Sequence, residues 1–417
     1  MAKEAAKDIV IIGGGIVGIC AAVVLARAGR EVVVVERGDI GGATSFGNAG
    51  VMAHSYLAAA NNPDLWRRLP SIILGRAPEC RVSVLFALRN MPWLAAFLRR
   101  ANYGDAVAAA DALSQLLALS LPLHRRFIGD AGCGGLLNER GWLKVFRSAK
   151  GLALCRTEMR LMTRAGVRHQ ILDGGQILQL EPALKPVFAA GLYFPDDISV
   201  NDPAELAARY GGLLQDAGGI VVCAETLALS AKRNKWQVQL NNAPPITADN
   251  VVIAAGPWSA SVLKTAGIKI PMAWERGYHC HFAAPDDCPL SRPVLDRQRG
   301  YYLAPMHRGY RLTTGDEFAA MDAPPNFSQL RACEQSARQI TKMGDALDKT
   351  PWLGSRPTLP DSLPMIGEAA GHKGLWFNFG HQHIGLSSAP GSALLLSALM
   401  NDKPPPMNPA PFCPSRF

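Results

Sequence analysis

Hydrophobic positions at the start of the chain form two continuous runs separated by a helical stretch. Residues 8–12 are almost entirely apolar and lead into three glycines, Gly13–Gly15. An alanine- and valine-rich stretch continues to Gly29, and a second apolar run at 32–35 ends on Glu36. Short continuous apolar runs are typical of buried strands, and the stretch between them is typical of a helix. The beginning of the chain is therefore predicted to form a strand–helix–strand unit.

Further along, the same patterns predict two kinds of region. Residues 56–170 are mostly helical in pattern, a short αβ alternation returns near Asp202, and strands dominate 271–343. Helices are predicted at 106–121, with a boundary near Pro122, at 203–215 and 328–343, and from about Ser387. Strands are predicted at 220–223, 236–240, 250–255, 278–282, 300–303, 310–314 and 375–379.

The glycine spacing after the first strand has a specific chemical meaning. Gly13 permits a tight turn, Gly15 lets a pyrophosphate approach the main chain, and Gly18 lets the helix pack closely on the strand. Free N–H groups at the start of that helix attract phosphate. Glu36, 18 positions past Gly18, is placed to accept hydrogen bonds from a ribose diol. Together these features predict a dinucleotide-binding site.

Two further segments carry a resemblance to a known family. A loop rich in Gly, Ser and Thr, Ala43–Gly50, follows the second strand, and residues 354–367 read Gly-Ser-Arg-Pro-Thr-Leu-Pro-Asp-Ser-Leu-Pro-Met-Ile-Gly. Together with Gly13–Gly18 and Glu36, these segments resemble the glycine oxidase and D-amino-acid dehydrogenase family of FAD enzymes. Matching pieces occur along essentially the whole chain. The resemblance implies an α/β fold with a Rossmann-like FAD-binding domain of the GR2 type and an interleaved α+β substrate domain built on an antiparallel sheet.

The resemblance also implies domains that are discontinuous in sequence. Residues 1–55, 171–265 and 350–417 are expected to form the FAD-binding domain. Residues 56–170 are expected to be a helical insertion, and residues 266–349 to form the substrate-binding sheet domain.

Cofactor contacts implied by the resemblance fall on the N-terminal glycine motif and its following loop, on strand ends in the middle of the chain, and on the C-terminal signature. The expected FAD contacts are Gly13, Gly15, Ile16, Val17, Gly18, Glu36, Arg37, Thr44, Ser45, Asn48, Ala49, Gly50, Val222, Ala255, Gly256, Trp258, Gly354, Arg356, Gly380, His381, His383, Ile384 and Gly385. The FAD is expected to be non-covalent, because the signature region between Cys333 and Cys413 lacks the thiol that some sarcosine oxidases use there.

An amino-acid substrate adds a carboxylate, which arginine binds through two parallel hydrogen bonds. Arg356 is the expected carboxylate ligand, because it lies where the resembled family places its carboxylate-binding arginine. The alternative is an arginine paired with an acid at the domain junction. Tyr302 is expected beside the carboxylate, and His54 is expected in the pocket wall or as a structural histidine. Arg276 and Arg311 are weaker candidates, because such arginines are more often strand-surface charges.

Charge and cysteine content narrow the classes of protein and partner. The net charge of +9 favours anionic partners, but no compact basic run or nucleic-acid motif accompanies it. Nine scattered cysteines without a C-x-x-C pair predict reduced thiols in a cytoplasmic protein. The charged N-terminal segment predicts no signal peptide, and no uncharged run long enough to span a bilayer is expected.

The segment 81–100 leaves membrane contact open. It is apolar, contains Trp93 and Phe97, and ends in two arginines, as a helix on an anionic bilayer surface would. The favoured interpretation is an amphipathic helix whose apolar face lies in the protein core. Peripheral attachment to the inner face of the cytoplasmic membrane is the alternative.

Two His-x-His pairs, His279/His281 and His381/His383, are the only pattern suggesting a metal. Neither pair has a clear third and fourth ligand in the sequence, and flavin chemistry needs no metal. No metal site is therefore predicted.

The predicted activity is FAD-dependent oxidation of the Cα–N bond of a D-amino acid or a D-proline-type imino acid. The product is an imine or a 2-oxo acid, and the electrons pass to a respiratory quinone or carrier. Two alternatives stay open: a glycine or sarcosine oxidase that uses oxygen, and a flavin-binding subunit that needs a partner for activity. The substrate side chain is not predicted, because function depends on pocket residues rather than on fold.

Overall fold

The computed structural model describes residues 7–417. The helices α1 to α12 span Ile16–Arg27, Leu65–Ile73, Val84–Arg89, Met91–Arg99, Tyr103–Asp130, Ala149–Ala153, Arg156–Arg164, Gly174–Leu180, Pro203–Asp216, Ser259–Thr265, Ser328–Ile340 and Gly385–Met400. The strands β1 to β21 span Lys7–Ile12, Val32–Glu36, Val51–Met52, Cys80–Val82, Leu137–Asn138, Trp142–Phe146, Gln170–Asp173, Ala190–Phe194, Ile198–Val200, Ile220–Cys223, Thr226–Lys232, Lys235–Leu240, Ile246–Ile253, Ala273–Phe282, Val294–Asp296, Tyr301–Met306, Gly309–Thr314, Asp316–Phe318, Trp352–Thr358, Met365–Glu368 and Leu375–Phe379.

The first sheet has eight strands and contains the strand–helix–strand unit predicted from the sequence. Its path runs β10-β2-β1-β13-β12-β11, with β21 on β13 and β20 on β21. The strands β10, β2, β1, β13 and β21 are parallel, so their carboxyl ends meet at one edge. Ligands of open parallel sheets bind at that edge.

Burial on both faces explains the continuous apolar run in β1. Ile9 and Ile11 face a cluster formed with α1, α5, α9 and α12, whereas Val10 and Ile12 face a second cluster that includes residues of β11, β12 and β20. A strand buried on both sides needs apolar residues at every position rather than at alternate positions.

A ten-stranded sheet forms the second layer, with the order β4-β18-β14-β17-β16-β15-β6-β8-β7 and β19 on the free edge of β14. It contains the predicted strands of the substrate domain. The strands β7, β8 and β19 lie in this sheet, although residues 171–265 and 350–417 were assigned to the FAD-binding domain. The helical insertion 56–170 likewise supplies β4 and β6 to it. Short, partly polar strands such as β7 carry too weak a pattern to be assigned to a sheet from sequence.

The predicted helix boundary at Pro122 is wrong, because α5 continues through this residue to Asp130. A proline inside a helix costs about 3 kcal/mol. Residues on both sides of it are buried, including Leu116, Leu117, Phe127 and Ile128. Each such side chain contributes roughly 1.5–3 kcal/mol on burial, which offsets that cost.

Two helical segments are long and apolar enough to cross a membrane, Tyr103–Asp130 and Gln382–Met400, whereas the sequence suggested none. Gln382–Met400 lies mostly in the interior and contacts α1, whereas α5 packs one side against α12 and is less than half buried. We therefore interpret both as core helices.

The segment 81–100 forms β4, α3 and α4 rather than one helix. Phe86, Trp93 and Phe97 are buried in a small cluster with Phe318, which agrees with the amphipathic interpretation. The opposite sides of these helices stay exposed and apolar, which that interpretation does not explain.

Candidate functional site

A cavity opens at the carboxyl edge of the eight-stranded sheet. It is lined by the turn after β1, the end of β2, the loop 43–48, the segments 224–227 and 254–262, Pro357, and residues 378–386 apart from His383 and Ile384. Segments far apart in sequence meet here because the five parallel strands end side by side.

The glycine turn has the geometry that its spacing predicts. Gly13 has φ +112°, and a Cβ there would lie 2.5 Å from the carbonyl oxygen of Ala254. A Cβ at Gly18 would overlap the carbonyl oxygen of Gly13, so α1 rests directly on the turn. At the start of α1, the N–H of Ile16 donates to Ser45 Oγ at 3.0 Å. The positive end of the helix thus faces the cavity beside a hydroxyl from the predicted flavin loop.

The acid at the end of β2 lines the same cavity. Glu36 accepts hydrogen bonds from the N–H groups of Gly14 at 2.6 Å and Gly38 at 3.1 Å. These bonds fix the carboxylate where a ribose diol would approach. Beside it, the Arg37 guanidinium lies 3.9 Å from the ring centroid of Trp258 and closes the wall through a cation–π contact.

Two unsatisfied polar side chains indicate that the cavity is built for a large polar ligand. Asn378 is fully buried and both its side-chain polar atoms lack partners among the described residues. Gln382 has φ +46°, and its buried Nε2 also lacks a partner there. Strained backbone and orphaned polar groups concentrate at ligand sites. Neither residue was singled out from the sequence, because neither belongs to a recognisable spacing.

Most of the expected FAD contacts line this cavity, and the structure places the others elsewhere. Those lining it are Gly13, Gly15, Ile16, Val17, Glu36, Arg37, Thr44, Ser45, Asn48, Ala255, Gly256, Trp258, Gly380, His381 and Gly385. Ala49, Gly354, Arg356, His383 and Ile384 line a second cavity instead. Gly18 packs the helix, and Gly50 (φ +77°) turns the chain against Val200.

Val222, an expected FAD contact, lies next to the cavity rather than in its lining, and its contact with FAD stays a prediction. Its side chain packs against an apolar cluster of the sheet, and the cavity wall is made by residues 224–227, which follow β10. The periodic pattern located the strand correctly, but the cavity begins only where the strand ends.

The second cavity adjoins the first, and Thr44, Asn48 and Gln382 line both. The ten-stranded sheet forms its floor, and the segment 56–72 with Phe97 forms another wall. A ligand in the first cavity and a substrate in the second would therefore meet at these three residues.

Arg356 projects into the second cavity from β19. A Cβ at Gly277 on the paired strand would lie 2.5 Å from Arg356 Nη2, so this glycine makes room for the guanidinium. Arg356 Nη1 donates to Asp316 Oδ1 at 2.9 Å. The side chain therefore lines the second cavity and has an acidic partner, and its role as carboxylate ligand stays a prediction.

An ionisable cluster surrounds this ion pair. His383 Nε2 lies 2.7 Å from Glu275 Oε2 and 3.6 Å from Asp316 Oδ1. Burial lowers the pKa of His383, but the carboxylates of Asp316 and Glu275 outweigh this effect and raise it above its usual value. Burial raises the pKa of Asp316. Glu275 and Asp316 were missed in the sequence because they come from separate strands and match no motif.

Tyr302 lines the second cavity, as expected for a residue beside the substrate. Its ring lies 5.9 Å from that of Trp142, and burial raises its pKa well above the usual value. The phenol therefore stays protonated and can donate a hydrogen bond to a carboxylate.

His54 lines neither cavity, so the pocket-wall expectation is wrong. The backbone N–H of His54 donates to Asp197 at 2.7 Å. The same carboxylate accepts hydrogen bonds from Ser55 Oγ at 2.5 Å and Trp142 Nε1 at 2.8 Å. The segment after the flavin loop is thus anchored through its backbone.

The two weaker arginine candidates have structural contacts. Arg276 is fully buried and donates to the carbonyl oxygens of Ala320, Ala323 and Pro324. Arg311 donates to the carbonyl oxygens of Phe46 at 2.7 Å and Asn48 at 2.6 Å. Arg311 thereby fixes the loop that carries expected cofactor contacts.

Two groups of side chains have a spacing that could hold a metal ion: His279, His281 and Asp348, and Glu275, Asp316 and His383. In the first group, His281 Nε2 accepts from Arg311 Nε at 3.1 Å and His281 Nδ1 lies 2.7 Å from Asp348. Both ring nitrogens of His281 are therefore in use, with a cation adjacent. In the second group, Arg356 Nη1 lies 2.9 Å from Asp316 Oδ1, so a cation already contacts one of the three side chains. The prediction that no metal is needed stays a prediction.

Comparison with known proteins places the chain among flavoenzymes. A family model described as FAD dependent oxidoreductase matches residues 8–399. The chain is 28% identical over 419 residues to a D-amino-acid oxidase of Bradyrhizobium diazoefficiens, covering 99% of both chains. It is 27% identical to a D-amino acid dehydrogenase of Vibrio cholerae, covering 96% of both. Among solved structures, the glycine oxidase of Geobacillus kaustophilus superposes with a TM-score of 0.77 at 22% identity, covering 99% of both chains.

Proposed function

Because the chain belongs to the family of FAD-dependent oxidoreductases, we propose that it oxidises the Cα–N bond of a D-amino acid or a D-proline-type imino acid. Relatives named D-amino-acid oxidase and D-amino acid dehydrogenase, similar over nearly their whole length, support this substrate class. The observation that carries the proposal is Arg356, which lies in the cavity that adjoins the cofactor cavity.

Different residues of the second cavity bind different groups of the substrate. FAD, held in the first cavity, supplies an acceptor for the hydride of the substrate Cα–H bond. Arg356 binds the α-carboxylate, and Tyr302 donates a hydrogen bond to the substrate from the neighbouring part of the sheet. Asp316 contacts Arg356 at 2.9 Å, and burial raises the pKa of this carboxyl, so it is the group placed to receive a proton from the substrate amine, which must be neutral before oxidation.

For the electron acceptor we propose a respiratory quinone or a comparable carrier. The acceptor is not fixed by the fold, since relatives of equal similarity carry the names oxidase and dehydrogenase. Oxidation of glycine or sarcosine with oxygen is the second candidate, favoured by a glycine oxidase of Pseudomonas putida at 26% identity.

Anaerobic reduction of the bound flavin tests the proposal. The purified holoenzyme is mixed with D- and L-amino acids, glycine, sarcosine and D-hydroxyproline in turn, and the visible flavin band is recorded. Bleaching by D-amino or D-imino acids alone is expected, with slow recolouring in air and fast recolouring by a soluble quinone. Bleaching by glycine and sarcosine with fast recolouring in air would favour the oxidase. Bound flavin that no amine bleaches would refute both.

A basic, apolar surface supports a peripheral position on the inner face of the cytoplasmic membrane. Residues 64–100 contain seven arginines and two acidic residues, a formal charge of +5 out of +9 for the whole chain. The outer sides of α2, α3 and α4 expose large apolar side chains: Ile73 (75%), Val84 (75%), Leu88 (66%), Leu74 (63%) and Met91 (62%). Exposed apolar residues beside arginines are typical of a surface that binds anionic lipids and inserts its side chains shallowly.

Replacing Val84 and Leu88 together with serine should weaken binding to vesicles that contain anionic lipid about tenfold or more. Each aliphatic side chain contributes roughly 1.5 kcal/mol when it leaves water. Co-sedimentation with phosphatidylglycerol-containing vesicles measures the effect. The matched control is Ile171→Ser, which removes a similarly exposed (59%) side chain from β7. Equal binding of all three proteins to these vesicles would refute the membrane surface. Equal binding of the unaltered protein to neutral phosphatidylcholine vesicles would refute its preference for anionic lipid.

A further inference from the structure

Arg297 lines the second cavity, and its guanidinium has no direct partner there. It is the first residue of the turn between β15 and β16. Within residues 7–417, its guanidinium makes no ion pair or hydrogen bond to another side chain, unlike that of Arg356. Burial lowers the pKa of Arg297, but nearby groups, Glu158 and Glu79 among them, outweigh this effect and raise it. The guanidinium therefore stays charged, and its hydrogen-bond donors are available to an anionic ligand.

Two carboxylates act electrostatically on Arg297, those of Glu158 and Glu79, and each is paired with another cation. Glu158 is paired with the buried ammonium of Lys144. Glu79 accepts from Arg68 at 2.6 Å. Both pairs line the same cavity, so this part of it carries two neutralised pairs and one free guanidinium. In this part of the cavity, Arg297 is therefore the guanidinium whose hydrogen-bond donors lack a partner among the described residues.

Hydrogen bonds and close packing fix the backbone at Arg297, so the position of its Cα is well defined. Its N–H donates to the carbonyl oxygen of Val145 at 3.2 Å, and Gly300 closes the turn by donating to Asp296 at 2.8 Å. Gly300 has φ +69°, and a Cβ there would overlap Glu79, so the segment before β4 lies directly on the turn. Asp296 is held in turn by Arg147 Nε at 2.8 Å.

The two arginines lie at separate places on the cavity floor. The strand β19, which carries Arg356, and β15, which precedes Arg297, are four strand positions apart in the sheet. Four spacings of about 4.8 Å separate their backbones by roughly 19 Å, and both residues line the same cavity. Tyr302 lies on the strand next to β15 and lines the same cavity.

We propose that the substrate carries a second carboxylate, and that Arg297 binds it while Arg356 binds the α-carboxylate. This inference rests on the proposed function and narrows its substrate to acidic D-amino or imino acids. Arg297 is thus a specificity-determining residue that contacts the side chain of the substrate. The planar fork of a guanidinium suits a carboxylate better than a neutral amide, because it forms two parallel charge-assisted hydrogen bonds.

Pairs of substrates that differ in one charge test the proposal. The kcat/KM of the holoenzyme is measured for D-glutamate against D-glutamine and for D-aspartate against D-asparagine, with D-2-aminoadipate as a longer acid. We expect kcat/KM for the acid whose length fits the cavity to exceed kcat/KM for the matching amide at least tenfold. In Arg297→Gln the ratio should fall to near one through a higher KM for the acid, with kcat kept within about twofold, because a side-chain contact binds ground and transition state alike.

The matched control is Arg299→Gln, which removes an exposed arginine from the same turn and should keep the preference. Equal use of acid and amide by the unaltered enzyme would overturn the inference and leave the proposed function standing, as would a preference that survives in Arg297→Gln.

A binding measurement separates this inference from the reaction itself. Glutarate and butyrate, which cannot be oxidised as amines, are titrated into the holoenzyme while the visible flavin spectrum is recorded. Glutarate is expected to bind at least tenfold more tightly, and Arg297→Gln to abolish the difference. This outcome would support the second carboxylate site even if no amine bleached the flavin, and equal affinities would overturn it.

Discussion

Replacing Gly13 with alanine is expected to leave the protein without FAD. Gly13 has φ +112°, which L side chains rarely adopt, and the new Cβ would lie 2.5 Å from the carbonyl oxygen of Ala254. Relief of this contact would push the turn away from β13 and with it the start of α1, whose N–H groups point at the cavity. We expect the purified variant to carry less than about one tenth of the flavin of the unaltered protein, since misplaced amides lose several charge-assisted hydrogen bonds at once.

The ratio of visible to ultraviolet absorbance of the purified protein measures the flavin content. The control is Gly212→Ala in α9, where a Cβ would meet no atom within 4 Å. That variant should keep its flavin and gain a little stability, because alanine favours the helix by about 1 kcal/mol over glycine. Circular dichroism of both variants checks that the fold persists. Full flavin content in Gly13→Ala would contradict the assigned role of this turn.

What the sequence predicted well is local in the chain. The turn from Gly13 to Gly18 and the acid Glu36 follow from one strand, one helix and the next strand, whose order fixes their geometry. Arg356 was found because a motif surrounds it. Local reasoning was less accurate for Val222, which lies on the predicted strand but two residues before the cavity wall begins.

The residues that surround the substrate position are brought together by long-range pairing. Glu275 lies opposite Arg356 only because β14 and β19 pair antiparallel across some eighty residues of sequence. Arg297 follows β15, which pairs in parallel with β6, more than a hundred residues earlier. No periodic pattern specifies which strands become neighbours, so these residues could not be grouped from the sequence alone. His54 shows the converse, since closeness in sequence to the flavin loop did not place its side chain in the pocket.

Under the proposed function, a substrate carboxylate that binds Arg356 must displace Asp316 from it. Asp316 holds one arm of the guanidinium at 2.9 Å, and burial raises the pKa of this carboxyl. A carboxylate that binds Arg356 competes with Asp316, and the released acid is then more readily protonated in its buried position. When the substrate carboxylate replaces that of Asp316 beside Arg356 and Asp316 takes up a proton, the net charge of the cluster changes little. Binding of the substrate carboxylate is thereby coupled to protonation of Asp316.

Replacing Arg356 with glutamine is expected to lower kcat/KM for the best D-amino acid by roughly 100-fold to 1000-fold. Truncating one member of a buried charge pair costs about 2–5 kcal/mol, and each 1.4 kcal/mol corresponds to a factor of ten. The loss should arise mainly in KM, because the carboxylate contact is made before and during the reaction. Flavin content should be unchanged, because the Arg356 side chain lines the second cavity rather than the first.

Two companion variants distinguish carboxylate binding from a purely structural ion pair. Asp316→Asn removes the competing charge but keeps the shape, so it should lower KM for a neutral D-amino acid by a fewfold, whereas kcat should fall because a proton acceptor for the substrate amine is lost. If the pair were only structural, Asp316→Asn would instead raise KM as much as Arg356→Gln. Arg308→Gln, which removes a largely exposed arginine (53%) on the neighbouring hairpin, should leave both constants unchanged. An unaltered KM in Arg356→Gln would show that the α-carboxylate binds elsewhere. Arg297 would then be the cation to examine for that role, since its guanidinium has no side-chain partner within residues 7–417.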